Sequence, residues 1–162
     1  MFSKWILIFL FSITAVYCYA QEKTSKNISV KKNAISYNTY GMSGFAGVTY
    51  ERFISSRISA EVGAGLVGVG LGIKYFYTTV TIKKILLNTG ITVTASPLFN
   101  TTDIRIVEGN GLLIYLPVGL SYFGGKGLNL GVDIGPGTTF TKTYNGNYLI
   151  VYGNFKVGFR FH

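Results

Sequence analysis

The stretch EVGAGLVGVGLGIKYFY, from Glu61 to Tyr77, decides the fold, because its glycines fit three different structures. Gly63, Gly65 and Gly68 match G-x-G-x-x-G, the pattern of a dinucleotide-binding loop. That loop requires a helix after the glycines, whereas here they continue into the strand-like GLGIKYFY. The uncharged run 62–73 is too short for a membrane-spanning helix, which needs about 20 residues. The remaining interpretation is a pair of strands with glycine at alternate positions.

A reversal of the chain at Leu66 and Val67 makes these strands a hairpin. In that register Gly65 pairs with Gly68, Gly63 with Gly70, Glu61 with Gly72 and Ser59 with Lys74. All the glycines then share one face of the hairpin. The opposite face is apolar and consists of Ala60, Val62, Ala64, Val69, Leu71 and Ile73.

The same alternation runs through the rest of the chain. The last strand, YLIVYGNFKVGFRF, carries its apolar residues on one side and mostly polar residues or glycine on the other. We predict eight strands, at 34–41, 43–53, 57–66, 67–77, 86–97, 110–123, 126–136 and 147–161. Their non-apolar faces consist mostly of Gly, Ser, Thr, Asn and isolated charges, which suits the interior of a narrow barrel. The pattern therefore predicts an all-β, eight-stranded antiparallel up-and-down transmembrane β-barrel.

The N-terminal segment has the pattern of an export signal. Lys4 precedes an apolar run that ends in Cys18-Tyr19-Ala20, which predicts a cleaved signal peptide at residues 1–20. A membrane anchor and a lipid-anchored Cys18 are the alternatives. We therefore expect a signal peptide at 1–20, a flexible basic tail at 21–33 and the barrel at 34–162.

The composition indicates a membrane partner. The formal net charge is +9, and charged residues are only 13% of the chain, about half the usual share. Since an exported chain does not meet nucleic acid, we expect the basic residues to face anionic lipid. They collect at the end of the barrel that carries the short turns and both termini: Arg52, Arg57, Lys83, Lys84 and Lys126.

Six charged side chains fall on the inward faces of the predicted strands: Glu51, Glu61, Lys74, Asp133, Lys156 and Arg160. A three-residue loop at 54–56 pairs Glu51 with Ser59 and Thr49 with Glu61. Three acids and three bases can neutralise one another inside a narrow barrel, as buried charge requires. We expect a packing role for them, with a proton or ion path as the alternative.

Aromatic residues cluster near the predicted strand ends, where interfacial girdles are expected. At the turn end these are Phe53, Tyr75, Tyr77, Tyr122 and Phe123. Toward the other end they are Tyr40, Phe99, Phe140, Tyr144 and Tyr148.

The C-terminal FKVGFRFH resembles the terminal β-signal of outer-membrane proteins, although His162 follows the aromatic residue that usually ends it. Over residues 34–161 the chain is similar to small eight-stranded outer-membrane barrels of the OmpX and Opa type. The segments SGFAGVTYERF, ISAEVGAGLVGVGLGIKY and LPVGLSYFGGKGLNLGVDIGPG resemble outer membrane protein β-barrel domain proteins. The resemblance implies location in the outer membrane of a Gram-negative bacterium and transient recognition by its assembly machinery. The residues that would carry this assembly signal are Phe155, Val157, Phe159 and Phe161.

These observations favour a structural or surface-interaction protein without a wide pore, a cofactor, a metal site or catalytic residues. Its partners are expected to be outer-membrane lipids and an extracellular ligand bound by the longer loops 98–109 and 137–146. One alternative is a soluble periplasmic barrel that holds a small apolar ligand, with its apolar face turned inward. Another is an outer-membrane lipid-modifying enzyme, although the only histidine, His162, lies at the turn end.

Overall fold

A computed structural model describes residues 30–43, 46–66, 68–96, 111–141 and 148–162. The described chain forms a closed antiparallel β-barrel of eight strand paths, which confirms the predicted all-β barrel. Nine strand segments build it: β1 Asn33–Tyr40, β2 Ala46–Phe53, β3 Ile58–Gly65, β4 Val69–Phe76, β5 Ile85–Ser96, β6 Gly111–Tyr115, β7 Val118–Phe123, β8 Leu128–Thr141 and β9 Tyr148–Phe161. Pairing of β1 with β9 closes the ring.

β6 and β7 form one path across the barrel, interrupted at Leu116 and Pro117. Their registers against β5 and β8 continue unchanged across the interruption. Proline has no N–H for the ladder, but its carbonyl still accepts a 3.0 Å bond from the Gly90 N–H. The predicted strand 110–123 is therefore one path with a local break.

The two ends of the barrel differ in their connections. The connections at 54–57, 77–84 and 124–127, together with β1's start and β9's end, lie at what we call the turn end. The opposite, loop end carries a three-residue 3-10 helix, Gly41–Ser43. Within the described ranges, no helix is long and apolar enough to cross a membrane.

The exposed apolar side chains of the strands point away from the lumen. On β4, Val69, Leu71 and Ile73 lie outside, whereas Gly70, Gly72 and Lys74 are buried inside. The outward set on the last strand includes Leu149, Val151, Phe155, Val157 and Phe159. Strand residues alternate in direction, so the polar face of each strand forms the barrel's interior.

The predicted register of the β3–β4 hairpin is confirmed. Ser59 lies opposite Lys74, Glu61 opposite Gly72, and Gly63 opposite Gly70. The Gly65 N–H donates a 2.9 Å hydrogen bond to the Gly68 carbonyl. The predicted reversal at Leu66 and Val67 lies partly outside the described residues, which do not include Val67.

The predicted register between β2 and β3 is wrong by two residues. Glu51 lies opposite Glu61, and Phe53 lies opposite Ser59. The cause is the position of the turn: Ile54 donates its N–H to the Ile58 carbonyl, so the turn is centred on Ser56 rather than on Ser55, one residue later than predicted. A shift of two residues keeps every side chain on its predicted face.

Four of the predicted segments that are not strands lie outside the described residues, wholly or in part. The signal peptide 1–20 and the loop 98–109 lie wholly outside them, and the tail 21–33 is described only from residue 30. β8 extends to Thr141 and β9 begins at Tyr148. The predicted loop 137–146 is thus part strand, and its remainder lies outside the described residues.

Candidate functional site

The lumen contains a chain of six charges that alternate in sign. From the turn end it runs Arg160, Glu51, Lys156, Glu61, Lys74, Asp133, and each side chain is at most 5% exposed. These are the six interior charges that the sequence singled out, and the structure brings all of them together. Within this network, each charged side chain makes its ion pairs with side chains of opposite charge.

The contacts along the chain are close. Arg160 Nη1 lies 3.3 Å from Glu51 Oε1, and Glu51 Oε2 lies 3.5 Å from Lys156 Nζ. Lys156 is also hydrogen-bonded to Glu61. Lys74 Nζ lies 3.7 Å from Glu61 Oε1 and 2.9 Å from Asp133 Oδ2. Since buried carboxylates require compensation, three bases around three acids leave the lumen formally neutral.

The β2–β3 register explains why the network is continuous. Glu51 and Glu61 face each other across two strands, a pairing that is unfavourable for like charges on its own. Lys156 reaches between them from β9 and contacts both. The six charges thus form one network, and removal of Lys74 or Lys156 would leave two acids without the base that separates them.

Polar side chains extend the network toward the loop end. Tyr115 donates its hydroxyl to Asp133 Oδ1 at 3.0 Å, and Asn154 donates to Asp133 Oδ2 at 3.2 Å. The Tyr115 ring packs edge to face against Tyr152, with ring centroids 5.3 Å apart. Tyr152 in turn donates to the Gly41 carbonyl at 3.1 Å. These contacts connect the charge network to the 3-10 helix.

The 3-10 helix Gly41–Ser43 folds into the lumen and places Met42 among the glycines of β3 and β4. A Cβ added at Gly70 would lie 2.8 Å from the Met42 carbonyl oxygen, and one at Gly72 would lie 2.8 Å from Met42 Cε. Thr94 donates its hydroxyl to the Met42 carbonyl at 3.2 Å. The glycine face thus leaves room for a segment of the same chain. Sequence reasoning missed this segment, although two facing runs of glycine indicate that something approaches closely.

The 3-10 helix depends on an unusual backbone at its start. Tyr40 and Gly41 have φ values of 62° and 67°, a left-handed region that disfavours side chains larger than glycine. A Cβ at Gly41 would also lie 2.6 Å from the Asn154 side chain. Asn38 donates a 3.1 Å bond to the Tyr40 carbonyl, which holds this turn. The chain can therefore leave β1 and enter the lumen within two residues.

An aromatic cluster fills the lumen at the turn end. Phe53, Phe76, Leu86 and Phe123 are buried together, and Val30 and Val80 pack against them. The prediction that Phe53 and Phe123 belong to an outer aromatic girdle is therefore wrong. Both residues share strand parity with buried polar residues, Glu51 and Ser121, so alternation directs them inward.

Arg160 joins the aromatic cluster to the charge network. Its guanidinium carbon lies 4.0 Å from the ring centroid of Phe53 and 4.8 Å from that of Phe123, within cation–π range. It also donates to the carbonyls of Lys31 and Lys32, at 3.0 and 3.3 Å. This buried side chain therefore holds the segment before β1 across the turn end.

The remaining predicted girdle residues divide by position. Tyr75, Tyr77 and Phe140 are exposed on the outside of the barrel, and Tyr122 is half-buried. Tyr40 is also exposed, but it shares strand parity with buried Ser36 and Asn38, and its ring packs edge to face against Tyr152 with centroids 6.5 Å apart. Phe99 and Tyr144, and the side chain of Tyr148, lie outside the described residues. The four residues of the predicted assembly signal, Phe155, Val157, Phe159 and Phe161, lie on the outer face of β9.

The chemistry of this lumen is that of a packed, neutral interior. Within the described ranges, no group of three or more His, Cys, Asp or Glu side chains is arranged to hold a metal ion. Comparison with known protein families, with curated proteins and with solved structures finds no match to this chain. Its function must therefore be inferred from its own residues.

Proposed function

We propose that this chain is an outer-membrane β-barrel protein of a Gram-negative bacterium, with a structural or surface-interaction role and without a wide pore. The observation that carries the proposal is the direction of the apolar side chains. Leu71, Val132 and Leu149 are 65%, 52% and 80% exposed on the outside, while acids and lysines are buried within. Hydrocarbon around the barrel would make both locations favourable, since apolar burial and charge pairing are then satisfied together.

The contents of the lumen support the proposed absence of a wide pore. Met42 lies among the glycines toward the loop end, the charge chain spans the middle, and four large apolar side chains fill the turn end. Eight strands enclose a space just wide enough for side chains. We therefore expect any external ligand to be bound by the loop segments 98–109 and 137–146.

The soluble alternative requires an apolar lumen. The large side chains that face the middle of this lumen, such as Lys74, Tyr115 and Lys156, instead carry polar groups. An apolar ligand would have to displace paired charges there, which is unfavourable. The lipid-modifying alternative is tested directly: the lipid A profile of a strain lacking this protein is expected to be unchanged.

Fractionation of a bacterium that expresses the full chain tests the proposal. We expect the protein in the outer-membrane fraction, released by detergent, with different migration of heated and unheated samples on a denaturing gel. The matched control replaces Phe159 and Phe161 with serine, which leaves the lumen unchanged but removes two assembly-signal aromatics. This variant is expected to accumulate outside the membrane fraction. Full recovery of the wild-type protein in the soluble periplasm would refute the membrane assignment.

A further inference from the structure

The charged residues of the described chain divide into a formally neutral lumen and a basic turn end. All three described acids, Glu51, Glu61 and Asp133, lie inside the lumen, where Lys74, Lys156 and Arg160 contact them. The remaining seven Lys and Arg residues of these ranges are at the turn end: Lys31, Lys32, Arg52, Arg57, Lys83, Lys84 and Lys126. The turn end therefore carries seven positive side chains and no acidic side chain among the described residues.

The cations are distributed over the whole turn end. Arg57, Lys83 and Lys126 are exposed, and each belongs to a different connection between strands, at 54–57, 77–84 and 124–127. Lys31 lies over the outward Phe159 ring, with Nζ 5.1 Å from the ring centroid. The positive charge is therefore spread around the rim of the barrel and is not confined to one connection.

The same rim borders apolar and aromatic side chains that point outward. Ile54, Ile58, Tyr75 and Tyr77 are exposed beside these connections, and the Tyr75 and Tyr77 rings pack edge to face, with centroids 5.7 Å apart. Tyrosine prefers the boundary between hydrocarbon and headgroups. Cations beside such a belt lie at the depth of lipid headgroups.

We propose that the turn end binds anionic phospholipid headgroups of the leaflet that surrounds it, an inference that rests on the proposed membrane location. The ligand chemistry is a phosphate-bearing lipid with net negative charge, and the contact is a ring of cations below an aromatic belt. One cation close to an anionic surface changes a binding constant by roughly fivefold. Salt weakens such contacts, because charges at the surface are screened over about 10 Å at 0.1 M ionic strength.

Spin-labelled lipids provide the test. The protein purified from the envelope is placed in phosphatidylcholine bilayers that contain trace spin-labelled phosphatidylglycerol or phosphatidylcholine. The fraction of label immobilised by the barrel gives the relative association constant. We expect a preference of roughly fivefold for phosphatidylglycerol at low salt, and a preference near one at 0.5 M NaCl.

A triple variant and its charge-conserving partner identify the residues. Arg57→Gln, Lys83→Gln and Lys126→Gln together are expected to remove most of the preference. Arg57→Lys, Lys83→Arg and Lys126→Arg together are expected to retain it. An unchanged preference in the glutamine variant would overturn the assignment to the turn end.

The outcomes separate this inference from the proposed function. An immobilised lipid fraction without any preference for phosphatidylglycerol would overturn the headgroup site while the barrel still lies in the bilayer. Absence of any immobilised lipid would refute the membrane location itself. Preference for a soluble anionic polymer over the lipid, in a competition at equal charge concentration, would also overturn the inference.

Discussion

Replacement of Lys74 by methionine is expected to destabilise the barrel strongly. Lys74 Nζ lies 2.9 Å from Asp133 and 3.7 Å from Glu61. At an effective dielectric constant of about 20, these separations correspond to attractions of about 6 and about 4–5 kcal/mol. Much of this is offset by the desolvation of the three groups, so we expect a net loss of about 3–5 kcal/mol in the free energy of unfolding.

The matched variants separate charge from shape. Asp133→Asn in the Lys74→Met background removes an acid with the base, so the double variant is expected to lose less than the two single variants added together, by about 0.5–3 kcal/mol. Lys126→Met, at the exposed turn end, is expected to change stability by less than about 0.5 kcal/mol.

Urea unfolding of the barrel in phosphatidylcholine bilayers, followed by circular dichroism and by gel migration without heating, gives the free energies. A Lys74→Met variant within about 0.5 kcal/mol of wild type would refute the view that the acids depend on this base. Strict additivity of Lys74→Met and Asp133→Asn would refute their coupling.

Three further substitutions test the packing and the outer face by the same unfolding measurement. Gly70→Ala is expected to lower the free energy of unfolding by about 1–3 kcal/mol, because its Cβ would clash with Met42 of the 3-10 helix. The control, Gly131→Ala, is expected to leave stability unchanged, since its Cβ would meet nothing nearer than 3.6 Å. Equal stabilities of the two variants would contradict the position of the 3-10 helix. Leu71→Lys, in the middle of β4, is expected to lower the free energy of unfolding in a bilayer by about 2–4 kcal/mol, and Ile54→Lys at the turn end by about 0–1 kcal/mol. A Leu71→Lys variant as stable as the wild type would indicate that water, and not hydrocarbon, surrounds the barrel. Phe123→Ala is expected to cost about 3–5 kcal/mol through loss of the aromatic cluster, and a loss below about 1 kcal/mol would contradict that packing.

The face on which each side chain lies was predictable from the sequence, because alternation alone determines which side chains share a face of a strand. The glycines of β3 and β4 also determined the hairpin register, since only one pairing places them together against each other. Alternation cannot distinguish registers that differ by two residues. The pairing of Glu51 with Glu61 therefore depended on whether the turn is centred on Ser55 or on Ser56, and two adjacent serines do not specify this.

The candidate site was predictable as a set of residues and not as an arrangement. Parity placed all six charges inside, but their order along the network depends on side-chain reach across the lumen, as when Lys156 contacts both Glu51 and Glu61. Met42 was not predictable, because a lone apolar residue between two strands resembles an ordinary loop residue. Its position follows from the positive φ at Tyr40 and Gly41, a backbone feature that is absent from hydrophobic periodicity.

The division of charge also bears on whether the network is a path for protons or ions. A path must be open to water at both ends, yet the described residues place Phe53, Phe76 and Phe123 beyond Arg160 at one end. At the other, Tyr115 covers Asp133 through its hydroxyl, and Tyr152 packs on Tyr115. Each acid is paired with at least one base, so no carboxylate is left to take up a mobile cation without breaking an existing pair. These contacts favour packing as the role of the network, whereas the exposed cations of the turn end are the charges that we propose to face lipid.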